Sequence, residues 1–187
     1  MEWAMIQIQL SGSAQQALSN ALDQVKRRHA LMADVGRRVV NELRKHFQEL
    51  NAENPNKLGG TRTNFWNSIR NSVLDTQATD DTATITIAHP AILQKLFGGT
   101  IHADQKLLAI PAVPQAYGRS PRLFTDLKFT ILGKSKALMQ GKTVFYWLKE
   151  SVTQAAFPNT LPQSSEFSAW IEDTATKNLN RALGGVA

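Results

Sequence analysis

A chain of 187 residues, 42% hydrophobic and 19% charged, carries enough apolar material for a core and lacks the composition of a disordered protein. Its net charge of +6 permits an acidic partner without requiring one, and the absence of cysteine excludes disulfides and thiolate metal sites and fits a reducing compartment. No uncharged apolar run approaches the ~20 residues of a membrane span, and the amino terminus lacks the charged start and apolar core of a signal peptide. The expectation is one domain over residues 1–187, soluble and intracellular when made, with no membrane contact.

Residues 4–10 alternate, with Ala4, Ile6, Ile8 and Leu10 on one side, the pattern of a half-buried strand. Ser11 and Gly12 turn the chain into a long helical run from about Ser13 to Leu50. Its apolar residues, Leu18, Leu22, Val25, Met32, Val35, Val39, Leu43, Phe47 and Leu50, step by threes and fours along one stripe, with His29 in register. Ser13 and Gln16 have the spacing of a capping box, and Asn51, Asn54, Pro55 and Asn56 close the run with turn chemistry. At ~1.5 Å per residue such a helix is roughly 55 Å long, so part of it is expected to be free to dock on another chain.

The opposite helix face is basic. Lys26, Arg37 and Arg44 fall on one line and Arg27, Arg38 and Lys45 on the next. This stripe is the candidate polyanion-facing surface, and a nucleic-acid-binding module is the alternative reading of the chain. The plainer reading is a solvated face with local ion pairs: Asp23 with Arg27, Asp34 with Arg38, Glu42 with Lys45 and Lys45 with Glu49.

Gly59-Gly60 form a joint, after which Thr61 or Thr63 caps a short helix bearing Phe65, Trp66, Ile69 and Val73 on one face. This aromatic pair reads as core rather than as a ligand platform. A turn at Asp80-Asp81 leads into a strand over Thr82–Ala88 with one wet face. Pro90 suits the start of a short helix, Ala91–Phe97, which Gly98-Gly99 ends. Ile101, then Leu107, Leu108 and Ile110, mark further extended segments, and residues 111–121 have no regular period. A meander follows: Leu127–Leu132, Ala137–Gln140 and Thr143–Val152, with turns at Gly133-Lys134 and Gly141-Lys142. After an irregular stretch over 154–163, a last helix from about Ser165 places Phe167, Trp170, Ile171, Thr174 and Leu183 together. The order predicts an α+β fold, an antiparallel sheet of about four to six strands packed against one long N-terminal helix and a C-terminal helix. Long loops are expected near 111–123 and 154–163.

No catalytic signature is present: no nucleophile elbow, no phosphate loop and no zinc-protease helix motif. His29 and His46 would lie about 25 Å apart on their helix and cannot share a metal. His89, His102 and Asp104 could approach one another, although a polar turn explains them equally well. Asp80-Asp81 and Glu172-Asp173 are adjacent pairs whose side chains diverge, poor acid–base partners. The expectation is a protein that is not an enzyme and has no cofactor.

Residues 89–152 resemble a known family. The run Ile92-Leu93-Gln94-Lys95-Leu96-Phe97-Gly98-Gly99-Thr100-Ile101, then Leu107-Leu108-Ala109-Ile110-Pro111, then Gln115-Ala116-Tyr117-Gly118-Arg119-Ser120-Pro121, is similar to the virion morphogenesis proteins of tailed bacteriophages. These are tail-completion or head–tail joining proteins, also found in Mu-like prophages. The segments Asn64–Val73 and Trp147–Gln154 also sit where that family places them. The likeness covers about half the chain, three short motifs in order. It departs where relatives carry an Arg-Pro-Phe-Leu-like segment and this chain has Ala155-Ala156-Phe157-Pro158, without the arginine.

The resemblance implies a structural protein of the neck or tail end. Its partners would be other neck or tail proteins, in a ring of copies within the particle, or a monomer when alone. It would reside in the host cytoplasm during assembly and afterwards in the virion. Head-to-tail ring closure needs two different complementary surfaces. The candidates are the long helix and the two long loops, with Phe97, Gly98, Gly99, Thr100, Tyr117, Arg119 and Phe157 as candidate interface residues.

Overall fold

The structure, a computed structural model, describes residues 16, 19–20, 22–23, 28–54, 56, 58–60 and 63–182. The strand expected over 4–10, the Ser13 cap, Lys26, Arg27 and Leu183 lie outside the described residues. In chain order the elements are α1 (Arg28–Glu53), α2 (Phe65–Asn71), β1 (Gln77–Ala78), β2 (Ala83–Thr84), α3 (Ile92–Phe97), β3 (Gly99–His102), β4 (Leu108–Pro111), β5 (Lys128–Leu132), β6 (Ser135–Gln140), β7 (Thr143–Lys149), β8 (Ser151–Gln154) and α4 (Ser164–Ala182). The fold is α+β, with a long N-terminal helix, a C-terminal helix and antiparallel sheets of two to four strands. No helix among the described residues is long and apolar enough to cross a membrane.

The chain divides into two compact units. The first takes residues 1–42, 74–86 and 163–187, and the second residues 43–73 and 87–162, so that α1 contributes to both. In the first unit, Val35, Val39 and Val40 of α1 are buried. Gly36 lets Thr76 approach the helix backbone closely: a Cβ at Gly36 would lie 2.1 Å from Thr76 Oγ1. Beyond Thr76, β1 and β2 pair with Gln77 opposite Thr84, and Thr79 Oγ1 accepts the amides of Asp81 and Thr82 to close their turn. Asp81 also pairs with Arg28 at the start of α1. The start of α4 is tied by Glu166, whose carboxylate accepts the Gln163 N–H at 2.8 Å, one half of a capping box. Along α4, Phe167 meets Trp170 edge-on at 5.3 Å and Lys177 pairs with Asp173 at 2.7 Å.

In the second unit, Leu43, Phe47 and Leu50 of α1 are buried, as are Trp66, Ile69 and Val73. Phe47 and Trp66 stack with ring centroids 6.2 Å apart. Asn64, not Thr61 or Thr63, occupies the cap position of α2, in the left-handed region at φ 52°. Asparagine tolerates this conformation, and its Oδ1 accepts from Asn51 and Asn67. The four-stranded sheet has the order β4-β7-β6-β5, with Ile110 opposite Trp147 and Phe129 opposite Leu138.

Two strand expectations are corrected. The single strand over Thr143–Val152 breaks at Glu150, whose carbonyl leaves the ladder to accept the Ala103 N–H at 2.8 Å. The chain thereby changes sheets, and β8 pairs with β3 instead, Thr100 opposite Thr153. The strand over Thr82–Ala88 reduces to Ala83–Thr84 and one bridge from Ile87 to Val73, because the facing segment meets it only at separated bonds such as Leu74 N to Thr86 O and Ala88 N to Ser72 O.

Candidate functional site

The second unit holds a cleft of about 690 Å³ on which five separate stretches of sequence converge. The end of α1 and the turn after it supply Asn51, Asn54 and Asn56, and the start of α2 supplies Asn64, Phe65 and Trp66. Lys95 of α3, Tyr117-Gly118 of the long loop, and Phe157 complete the wall.

Several of the lining groups are held by neighbours. Asn54 Nδ2 donates to Leu50 O at 2.9 Å, and Asn56 Oδ1 accepts the Leu58 N–H at 2.9 Å. The Lys95 ammonium sits over two aromatic rings, 5.1 Å from the Phe65 centroid and 6.0 Å from that of Phe157, the geometry of cation–π attraction. Its backbone carbonyl accepts the Phe157 N–H at 2.8 Å and the Thr160 hydroxyl at 3.2 Å. Phe157 in turn packs on Trp66 with centroids 4.9 Å apart.

The loop that carries Tyr117 is pinned from below by Tyr146 of β7. This side chain is 1% exposed, and its hydroxyl is 3.2 Å from Ala116 O and 3.0 Å from Arg119 O, donating to the pair. Burial raises its pKa above the ordinary tyrosine value, against a smaller lowering by Arg119. Short helical turns over Pro114–Ala116 and Pro121–Leu123 give the loop further internal order. The stretch without regular period is therefore an ordered wall built on a buried phenol.

The candidate interface residues separate into three groups. Tyr117 and Phe157 line the cleft, and Arg119 lines a smaller adjoining pocket of about 320 Å³ with Tyr117 and Gly118. Phe97 is 74% exposed and lies outside the cleft lining. Gly98 makes the turn from α3 into β3, and Gly99 and Thr100 are the first two residues of that strand. Gly98 adopts φ 67°, and a Cβ there would lie 2.6 Å from Ala156 N and 2.7 Å from Gln154 O, so only glycine fits. Thr100 and Thr153 join hydroxyls across the β3–β8 pair at 2.8 Å.

On the basic stripe, each described cation has a partner. Arg37 pairs with Asp34, Arg38 with Glu42 at 3.0 Å and Lys45 with Glu49 at 3.9 Å, while Arg44 donates to Val73 O at 2.9 Å. The expected pairs Asp34–Arg38 and Glu42–Lys45 are replaced, since Arg38 reaches forward to Glu42 at i+4 and leaves Asp34 to Arg37 at i+3. His89 is engaged on both ring nitrogens. Nδ1 accepts the Ala91 N–H at 3.2 Å, which leaves Nε2–H to donate to Ser68 Oγ at 2.8 Å. That network accounts for His89 as the fixture of a turn, and among the described residues no group of three side chains is placed to hold a metal ion.

Reading for motifs passes over the asparagines, because each also has an ordinary use in a helix stop or turn. Their clustering, four between positions 51 and 64, was the available signal. Lys95 sits inside an amphipathic helix and announces nothing until Phe65 and Phe157 are brought beside it. Compared with models of protein families, with curated proteins and with solved structures, the chain matches none.

Proposed function

We propose that this chain is a structural virion-assembly protein of a phage or prophage, acting at the head–tail junction or tail end to complete or join the tail. It works through protein–protein contacts and transforms no substrate. Its partners are other neck or tail proteins, met as a ring of copies in the particle, and it passes from the host cytoplasm into the virion.

One observation carries the reading. The three motifs that resemble the morphogenesis family lie within residues 92–121, and they pack with the flanking segments Asn64–Val73 and Trp147–Gln154 into a single substructure. Lys95, Tyr117-Gly118 and Phe65-Trp66 face one cleft, and the Leu108–Pro111 strand pairs with Tyr146–Lys149. The cleft chemistry supports binding over reaction: its amides and rings hydrogen-bond, stack and hold a cation, and although the Ser68 hydroxyl in its wall lies 2.8 Å from His89 Nε2, that nitrogen carries the proton because Nδ1 accepts the Ala91 N–H.

The test is deletion of the gene from the phage or prophage that encodes it. Electron microscopy of the lysate is expected to find filled heads and separate tails, with joining restored by the wild-type gene in trans. Particles of normal infectivity from the deletion strain would overturn the assignment.

A further inference from the structure

The four-stranded sheet ends in two edges, β4 and β5, and the chain finishes them differently. The β4 edge is blunted. Ala112 N–H donates inward to Phe145 O, so the alternation along the strand turns Pro111 outward, where a proline has no N–H to offer. The β5 edge is complete. Leu132 pairs with Ser135 across the two-residue turn at Gly133-Lys134, the hydrogen-bonded pair that closes such a hairpin. Alternation then directs the backbone groups of Thr130 and Lys128 inward to β6 and leaves the N–H and C=O of Phe129 and Ile131 facing out of the sheet. Among the described residues nothing bonds to these outward groups.

The side chains leave the same edge open. Phe129 is 56% exposed and Ile131 64%, two apolar residues on one face of the strand. The strand has no proline, and its one charge, Lys128, stands at its start. An exposed apolar edge of this kind is a template for a further strand.

The pattern of β5 itself selects that strand. When a second β5 is laid antiparallel beside the first and centred on Thr130, every residue of the strand is matched. Phe129 falls opposite Ile131 of the second copy and exchanges both backbone hydrogen bonds with it, so apolar side chains meet on one face. Thr130 meets its own counterpart. Lys128 meets Leu132, which keeps the two lysines at opposite ends of the joint and puts no like charges across from each other. Moving the centre by one residue shortens the overlap, and pairing β5 with the β4 of a second copy meets the outward Pro111.

We propose that β5 is the docking edge for a second copy of this chain, the two joined antiparallel about a two-fold axis at Thr130 into one continuous sheet. A joint of five residues a side is small, so the association is weak and depends on concentration. The contact is isologous and separate from any head-to-tail ring contact, and its test does not depend on the assembly role.

The experiment uses the full chain and two readouts. Sedimentation velocity from about 5 to about 500 μM is expected to show wild type passing from monomer to dimer. Ile131→Lys sets a charge opposite Phe129 twice in each dimer and is expected to weaken dimerisation at least about tenfold, with an unchanged far-ultraviolet circular dichroism spectrum. Phe97→Lys, at a 74% exposed position on α3, is expected to stay within about twofold of wild type. Cysteine trapping reads the register, against a chain that has no cysteine of its own. Thr130→Cys places two thiols in a non-hydrogen-bonded pair with Cα atoms about 4.5 Å apart, within disulfide reach. Lys128→Cys places them about 14 Å apart, beyond it. The first is therefore expected to cross-link at least about tenfold faster than the second. Should Ile131→Lys fail to fold, the cysteine pair carries the decision. A dimer undiminished by Ile131→Lys, or equal cross-linking in the two cysteine variants, overturns the proposal. So does a wild type that stays monomeric across the range, which would assign the edge to a strand of another protein.

Discussion

The phenol of Tyr146 links the sheet to the loop that walls the cleft, and its chemistry makes that link testable. Its hydroxyl serves two backbone carbonyls, Ala116 O and Arg119 O, from a position shielded from water. Tyr146→Phe keeps the ring and removes the donor, leaving those carbonyls short of a partner, at a stability loss of about 1–2 kcal/mol by urea denaturation. The same side chain predicts an alkaline limit. Burial raises its pKa in the folded state, so the fold holds the phenolic proton more tightly than the unfolded chain does. The associated stability is complete below the unfolded value of about 10 and is lost as pH rises through the folded value. Denaturation midpoints measured on either side of that value are expected to fall in wild type, with the Tyr146 component of the fall absent in Tyr146→Phe.

At the scale of the element, α1 was the most legible part of the chain, because a stripe repeated over many turns averages out local exceptions. Val35, Val39, Leu43, Phe47 and Leu50 are buried as their spacing predicts. Val40, off the stripe, is buried too, whereas Leu22 on the stripe is 52% exposed. The hairpins were legible for a different reason: Gly133 and Gly141 hold positive φ, the requirement of tight turns. What could not be read were decisions made by distant partners. Thr143–Val152 has an unbroken strand composition, and only the competition between β4 and β3 for its two halves sets the break at Glu150. The cleft was legible in Tyr117 and Phe157, whereas Phe65 and Trp66, read as core, also line it, and the asparagines were hidden because their turn chemistry is the same whether or not they line a cavity.

Gly36 was silent in sequence, since a glycine within a helix ordinarily reads as a local weakness. Here it is the place where Thr76 presses against α1. Replacement by alanine in an open helix gains about 1 kcal/mol. In this helix Gly36→Ala is expected to lose about 1–3 kcal/mol, because the new methyl collides with a short, branched side chain. Thr76→Gly in the same chain should relieve most of that loss, a coupling that a thermal-denaturation double-mutant cycle detects.

For the whole molecule, the division of labour follows from how its surfaces are finished. The helix stripe gives its described cations internal partners, and the cleft ties its amides to backbone groups and to one another and its lysine to two aromatic rings. In the proposed assembly role the protein is a component of the particle and is consumed in fixed proportion, whereas a catalyst is not. The decisive measurement is therefore joining in vitro: heads and tails from a deletion lysate are mixed with increasing amounts of the purified chain, and infective titre is followed over time. The titre should rise in proportion to protein added and reach a plateau that longer incubation does not lift. Full titre from a trace of protein given more time, or no rise at any amount, would contradict a role as a structural part of the particle.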